Sequence, residues 1–132
     1  MSRKDTLTID FAQVVLGCAD PGAPVTLDRS QLERSTGGDV QLSREVLGIF
    51  LAHADRVVGE MGTARTADDA RIAVHGLRGA ALAVGAVEVA CTAAALESAL
   101  AGGTADARLA ADFTAAVAAA KSAMAAWLAE PW

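Results

Sequence analysis

A chain of 132 residues is long enough to bury one hydrophobic core and too short for several domains. Hydrophobic residues make up 53% of it but aromatics only 4%, with no Tyr, so the core must be built largely from Ala, Leu and Val, a composition that favours closely packed helices. The formal net charge of -5 argues against a nucleic-acid binder, whose surface should be basic. The most apolar stretch, Ala110 to Leu128, is interrupted by Asp112 and Lys121, so no membrane span is expected.

The first ten residues, MSRKDTLTID, carry basic residues with no apolar run behind them, unlike a signal peptide, and the cytoplasm is the expected compartment. Residues 1–26 form an N-terminal arm with room for a short helix or strand over Ile9 to Leu16, followed by the loop CADPGAPVT. The two cysteines, Cys18 and Cys91, make neither a disulfide framework nor a spaced metal motif and are expected as small core or surface residues.

The helical domain is placed at 27–132. Asp28 and Gln31 make a capping box, with Leu27 and Leu32 as its hydrophobic staple, and a short helix over 28–34 should stop at Gly37-Gly38. A second helix starts at Asp39 and runs to Met61, with Leu42, Val46, Ile49, Phe50 and Val57 at helical spacing. Its His53 is expected at the surface or boundary, with no constellation around it. Thr66 and Asp69 cap a third helix that ends at Gly85, and Asp68 and Asp69 suit its first turn better than a metal site. The fourth helix covers Ala86 to Ala101, with Glu88 and Glu97 on solvated faces. The fifth starts at Thr104 with Asp106 in its first turn and carries Leu109, Phe113, Val117, Met124 and Leu128. No β-alternation follows residue 25, so the fold class is all-α: an antiparallel four-helix bundle with a short additional N-terminal helix.

On the third helix, Ala70, Ala73, Val74, Leu77, Ala80, Ala81 and Val84 form one broad apolar face, and Arg71, His75, Arg78, Gly79 and Leu82 occupy the other. A neutral imidazole is a nucleophile near neutral pH and can attack phosphorus. Arg78, one turn on, could pair with phosphoryl oxygens, and Arg71, one turn back, could add to the positive field. Gly79 would leave room for another protein to approach the ring, at a cost of roughly 1 kcal/mol against alanine. Periodicity alone leaves the plainer alternatives open: a helical histidine as surface decoration, and a glycine that serves close helix packing. There is no Gly-rich loop followed by Lys-Ser or Lys-Thr, no HExxH and no Cys/His cluster.

The run His75-Gly76-Leu77-Arg78-Gly79-Ala80-Ala81-Leu82-Ala83-Val84-Gly85 resembles the signature of histidine-containing phosphotransfer domains, roughly His-x-hydrophobic-Lys-Gly-small-small-x-x-hydrophobic-Gly. LSREVLGIFLAHADRVVGEM resembles the family's preceding helix and VEVACTAAALESAL the following one, so the likeness covers residues 27–101 and, less specifically, the last helix. It implies a monomeric four-helix-bundle module of a two-component phosphorelay. His75 would take a phosphoryl group from a receiver-domain aspartate and pass it to another receiver. Arg78, where the family usually has lysine, would pair with that group; its planar head is not equivalent to an ammonium. Gly79 would give access and Gly85 would close the motif; Arg71 and Leu82 are expected as partner contacts from their place on the same outer face as His75. The chain would need no cofactor of its own, the receiver supplying Mg²⁺. It would be a phosphoryl carrier acting as half a site, not an independent kinase. The rival expectation is a helical binding module that docks a receiver or kinase without phosphotransfer. A dimeric phosphotransferase is disfavoured, because one chain already has the helices for a bundle.

Overall fold

The structure is a computed structural model and describes residues 27–104 and 106–130. Cys18 and the rest of the 1–26 arm, with its expected short element, lie outside the described residues. Five helices follow one another: α1 (Arg29–Thr36), α2 (Val40–Thr63), α3 (Ala67–Val84), α4 (Val87–Ala101) and α5 (Ala107–Leu128). Among the described residues there is no strand, and they form an all-α fold, a four-helix bundle with one short helix in front.

Side chains that satisfy otherwise unpaired N–H groups set the helix starts. Asp28 accepts from the backbone N–H of Ser30 and Gln31, Asp39 from Leu42, Thr66 from Asp69, and Asp106 from Arg108 and Leu109. Two details differ from the sequence expectation. Gln31 does not reach back to close a capping box: its amide donates to Ser35 Oγ, while the Asp28 N–H donates to the carbonyl of Gly85 at 2.7 Å. Asp106 is itself the cap of α5, so that helix starts later than Thr104. A carboxylate accepts two N–H groups there, which a residue inside the first turn could not do.

The long helices form a ring in chain order, α2 beside α3, α3 beside α4, α4 beside α5, and α5 closing back on α2, with α1 laid across α2 and α3. Leu32, Leu47, Val57, Val74, Leu77, Val89, Leu96, Phe113 and Met124 are fully buried in one shared core. The α2–α5 seam carries an ion pair between Lys121 and Asp55 at 2.6 Å, and Arg29 stacks 4.5 Å over the Trp127 ring. Cys91 is buried on α4 and is disulfide-bonded rather than a free thiol, which corrects the expectation of a plain core residue. By length and hydropathy alone α5 meets the requirements of a membrane-crossing helix, a test that a bundle's core helix also passes. Its hydropathy comes mostly from alanine, and it turns Phe113, Val117, Met124 and Trp127 into the bundle.

The connection between α3 and α4 is the shortest of those that join these five helices. Gly85 adopts φ 80°, in the left-handed region, and the N–H groups of Gly85 and Ala86 both donate to the Ala81 carbonyl. A Cβ at Gly85 would collide with the Asp28 backbone carbonyl of α1's cap. Gly85→Ala should therefore lower stability by about 3 kcal/mol, combining a disfavoured φ with overpacking. Gly48→Ala, at an open helical position on α2, should raise it by up to roughly 1 kcal/mol. Urea unfolding followed by circular dichroism measures both, and equal effects at the two sites would contradict the account of the turn.

Candidate functional site

Helix α3 buries Val74, Leu77, Ala81 and Val84. What remains outside falls into two adjacent stripes at helical spacing. One is Arg71, His75, Arg78 and Leu82; the other is Ile72, Gly76, Gly79 and Ala83. The neighbouring helices show which way each leans. Glu97 of α4 contacts His75 and Arg78, so the first stripe borders α4. The imidazole of His53 on α2 lies 3.9 Å from where a Cβ at Gly76 would be, so the second borders α2.

His75 is exposed, with 58% of its side chain open to solvent, while only 16% of the Glu97 side chain is. Its Nδ1 lies 2.6 Å from Glu97 Oε2. A carboxylate only accepts, so in the neutral ring the proton is on Nδ1 and the Nε2 lone pair is free. Nδ1 points towards α4, which turns Nε2 away from α4 and outward. Arg78 Nη1 sits 3.3 Å from the other carboxylate oxygen, Oε1. That contact is an ion pair without hydrogen-bond geometry, since Oε1 is buried and has no donor. Arg78 is thus held beside the ring with N–H directions to spare. A buried carboxylate oxygen left without a hydrogen bond is costly and calls for a functional explanation.

The remaining sequence candidates divide. Gly79 is exposed, and a Cβ there would meet nothing within 4 Å among the described residues, so helix packing among them does not account for it. Arg71 turns back one turn and donates from Nε and Nη2 to Asp68 Oδ1, at 3.0 and 2.7 Å, which offsets the charge it was expected to add. Leu82 is half-buried and packs against the core while bordering the His75 stripe. Gly85 lies in the turn and positions the stripe without touching it.

Two features were not anticipated. Glu97 was expected on a solvated face, and the structure brings it across the α3–α4 turn onto His75, 22 residues away in sequence. The signal was present in the antiparallel hairpin: counting outward from Gly85 along both helices puts the two at similar heights. His53 was expected to have no constellation, and it borders Gly76. A surface cavity of about 230 Å³ between α1 and the ends of α2 and α5, lined by Arg29, Val40 and Trp127 among others, includes none of the His75 group. Among the described residues no group of three or more His, Cys, Asp or Glu side chains is placed to hold a metal ion.

A family model for the Hpt domain matches residues 45–127, from the first turns of α2 almost to the end of α5. No curated protein and no solved structure matches the chain.

The geometry predicts a tautomer. In ¹⁵N spectra of neutral His75 the proton should be on Nδ1, and Glu97→Ala should move the population towards the Nε2–H form. A wild-type ring already protonated on Nε2 would mean that the Glu97 contact does not form in solution.

Proposed function

The chain belongs to the Hpt domain family, the phosphotransfer modules of two-component signalling that interact with receiver domains, and from that premise we propose that His75 is the residue that carries the phosphoryl group. On this reading it accepts the group from the phosphorylated aspartate of one receiver and passes it to the aspartate of another. The observation that carries the proposal is the open Nε2 of an exposed imidazole whose other nitrogen is held by a nearly buried carboxylate.

The step balances without a base. The Nε2 lone pair attacks the phosphorus of the receiver's acyl phosphate, the P–O bond to the aspartate breaks, and the carboxylate leaves with the electron pair. The ring gains an N–P bond and a positive charge while keeping its Nδ1 proton. Glu97, already bound to that proton, offsets the charge as it develops. Arg78 can turn its spare N–H groups towards the phosphoryl oxygens. The resulting phosphoramidate is energetic enough for the reverse sequence to pass the group on. Mg²⁺ and the acidic cluster that binds it would belong to the receiver. In this proposal the chain acts as a monomer in the cytoplasm.

Gly79 gives this reading independent support. Its missing side chain leaves space that none of the described residues fills, one turn from His75, where the partner's phosphoaspartate loop has to enter. Beyond it, the exposed side chains of Ile72 on α3 and Ile49 on α2 offer apolar contact area on the side to which Nε2 is free, with Arg71 and Leu82 bordering the other flank.

Receiver domains loaded with acetyl phosphate should label the wild-type chain with an acid-labile, alkali-stable phosphate, and His75→Gln should abolish the label. Labelling that persists in His75→Gln would sink the assignment. Gly79→Ala should separate stability from activity. It should raise stability by roughly 0.5–1 kcal/mol and slow transfer on the order of tenfold, because a methyl group then stands where the donor enters. Faster or unchanged transfer in that variant would show that the space has no role.

A further inference from the structure

We infer that His53 of α2 is a docking residue for the receiver domain, the hydrogen-bonding anchor of the seam between α2 and α3; this rests on the phosphotransfer reading above. Because His75 Nδ1 faces Glu97 on α4, a donor reaching Nε2 approaches from outside and from the α2 side. It then covers the Ile72, Gly76, Gly79, Ala83 stripe and whatever borders that stripe on α2.

His53 borders it. The Nε2 and Cε1 edge of its imidazole lies 3.9 and 4.0 Å from the position a Cβ at Gly76 would take, the residue next to His75. The side chain is half-buried, and its ring nitrogens have no hydrogen-bond partner among the described residues. One turn before it on α2 stands Ile49, 69% exposed, and one turn before Gly76 on α3 stands Ile72, 58% exposed. The seam thus carries two exposed isoleucines with the half-buried imidazole of His53 among them, and it runs on to His75.

That arrangement defines the partner's chemistry. A neutral imidazole has one donor and one acceptor nitrogen. A receiver that buries the seam without meeting the ring would leave a polar nitrogen dry and unpaired, which costs more than the contact gains. A matching partner presents apolar side chains to Ile49 and Ile72 and a hydroxyl, carboxamide or main-chain group to His53. His53 then helps select among receivers and takes no part in moving the phosphoryl group.

The test uses the full chain and a receiver domain, loaded with acetyl phosphate, that labels wild type. His53→Ala removes the ring, His53→Phe keeps its bulk without hydrogen bonding, and His53→Gln keeps a donor and an acceptor. Ala and Phe should raise the receiver concentration for half-maximal transfer roughly tenfold, Gln should stay within about twofold of wild type, and the saturating single-turnover rate should not change. Circular dichroism and sedimentation should show the same helicity and mass for all four proteins. Unchanged concentration dependence in Ala and Phe, or a fall in the saturating rate instead, overturns the inference while leaving His75 labelling intact. A wild-type dimer that His53→Ala dissociates would show that the seam seats a second copy and also overturns it. If no receiver labels wild type, the phosphotransfer reading itself fails, and this inference with it.

Discussion

The left-handed turn at Gly85 is the constraint on which the rest of the arrangement depends. It joins α3 to α4 with almost no intervening chain, so the relative register of the two helices is set where they meet. A rise of about 1.5 Å per residue then carries His75 and Glu97 to matching heights, one on each arm of the hairpin. The same residue fixes α1. Its carbonyl accepts from the Asp28 N–H, its missing Cβ leaves room for the Asp28 carbonyl, and Ser35 Oγ donates to the Ala83 carbonyl nearby. One backbone conformation therefore positions His75, its carboxylate partner and the short helix that caps this end of the bundle.

Glu97 links that scaffold to the chemistry. It is poorly placed as a purely structural residue, being largely desolvated with one oxygen lacking a hydrogen-bond donor. Replacing such a group with an apolar one is commonly neutral or stabilising. What the carboxylate supplies is orientation: it sets the ring's rotamer and tautomer through Oε2 and holds a guanidinium nearby through Oε1. If His75 carries a phosphoryl group, the cationic intermediate and the Glu97 carboxylate become an ion pair in a partly dry site, and Arg78 moves from balancing Glu97 to balancing phosphate. The three charges form one unit, so losses on mutating them singly should not add.

Most of the scaffold was legible in the sequence because local chemistry marks it. Asp28, Asp39 and Thr66 are short polar side chains placed before apolar periodicity, and they cap helices for the reason their chemistry gives. The errors came where two acceptable local solutions competed. Thr104 and Asp106 can both cap a helix, and the stronger acceptor prevailed. Gln31 could have closed a box on Asp28, but Gly85, distant in sequence, supplied the acceptor for the Asp28 N–H. Glu97 was misplaced for a related reason. On its own helix a glutamate looks solvated, and only the register of the hairpin shows that it meets His75. The disulfide state of Cys91 likewise depends on something beyond its own helix, and spacing could not reveal it.

The two outer stripes of α3 make a division of labour that explains its unusual composition. The stripe bordering α4 carries the reactive and charged groups, Arg71, His75 and Arg78, and each is paired within the chain. The stripe bordering α2 carries Gly76, Gly79 and Ala83, which present almost no side chain, together with the exposed Ile72. Two exposed glycines within one helix weaken it by roughly 1 kcal/mol each relative to alanine, and a Cβ at neither would clash with the fold. Packing among the described residues gives no reason for either. The proposed function supplies one: flat backbone on one side of His75 and fixed charges on the other would let an incoming active site close over Nε2 from the α2 side. On that proposal the helix is weakened where its partner must come close, while the Glu97 contact holds the imidazole beside that opening.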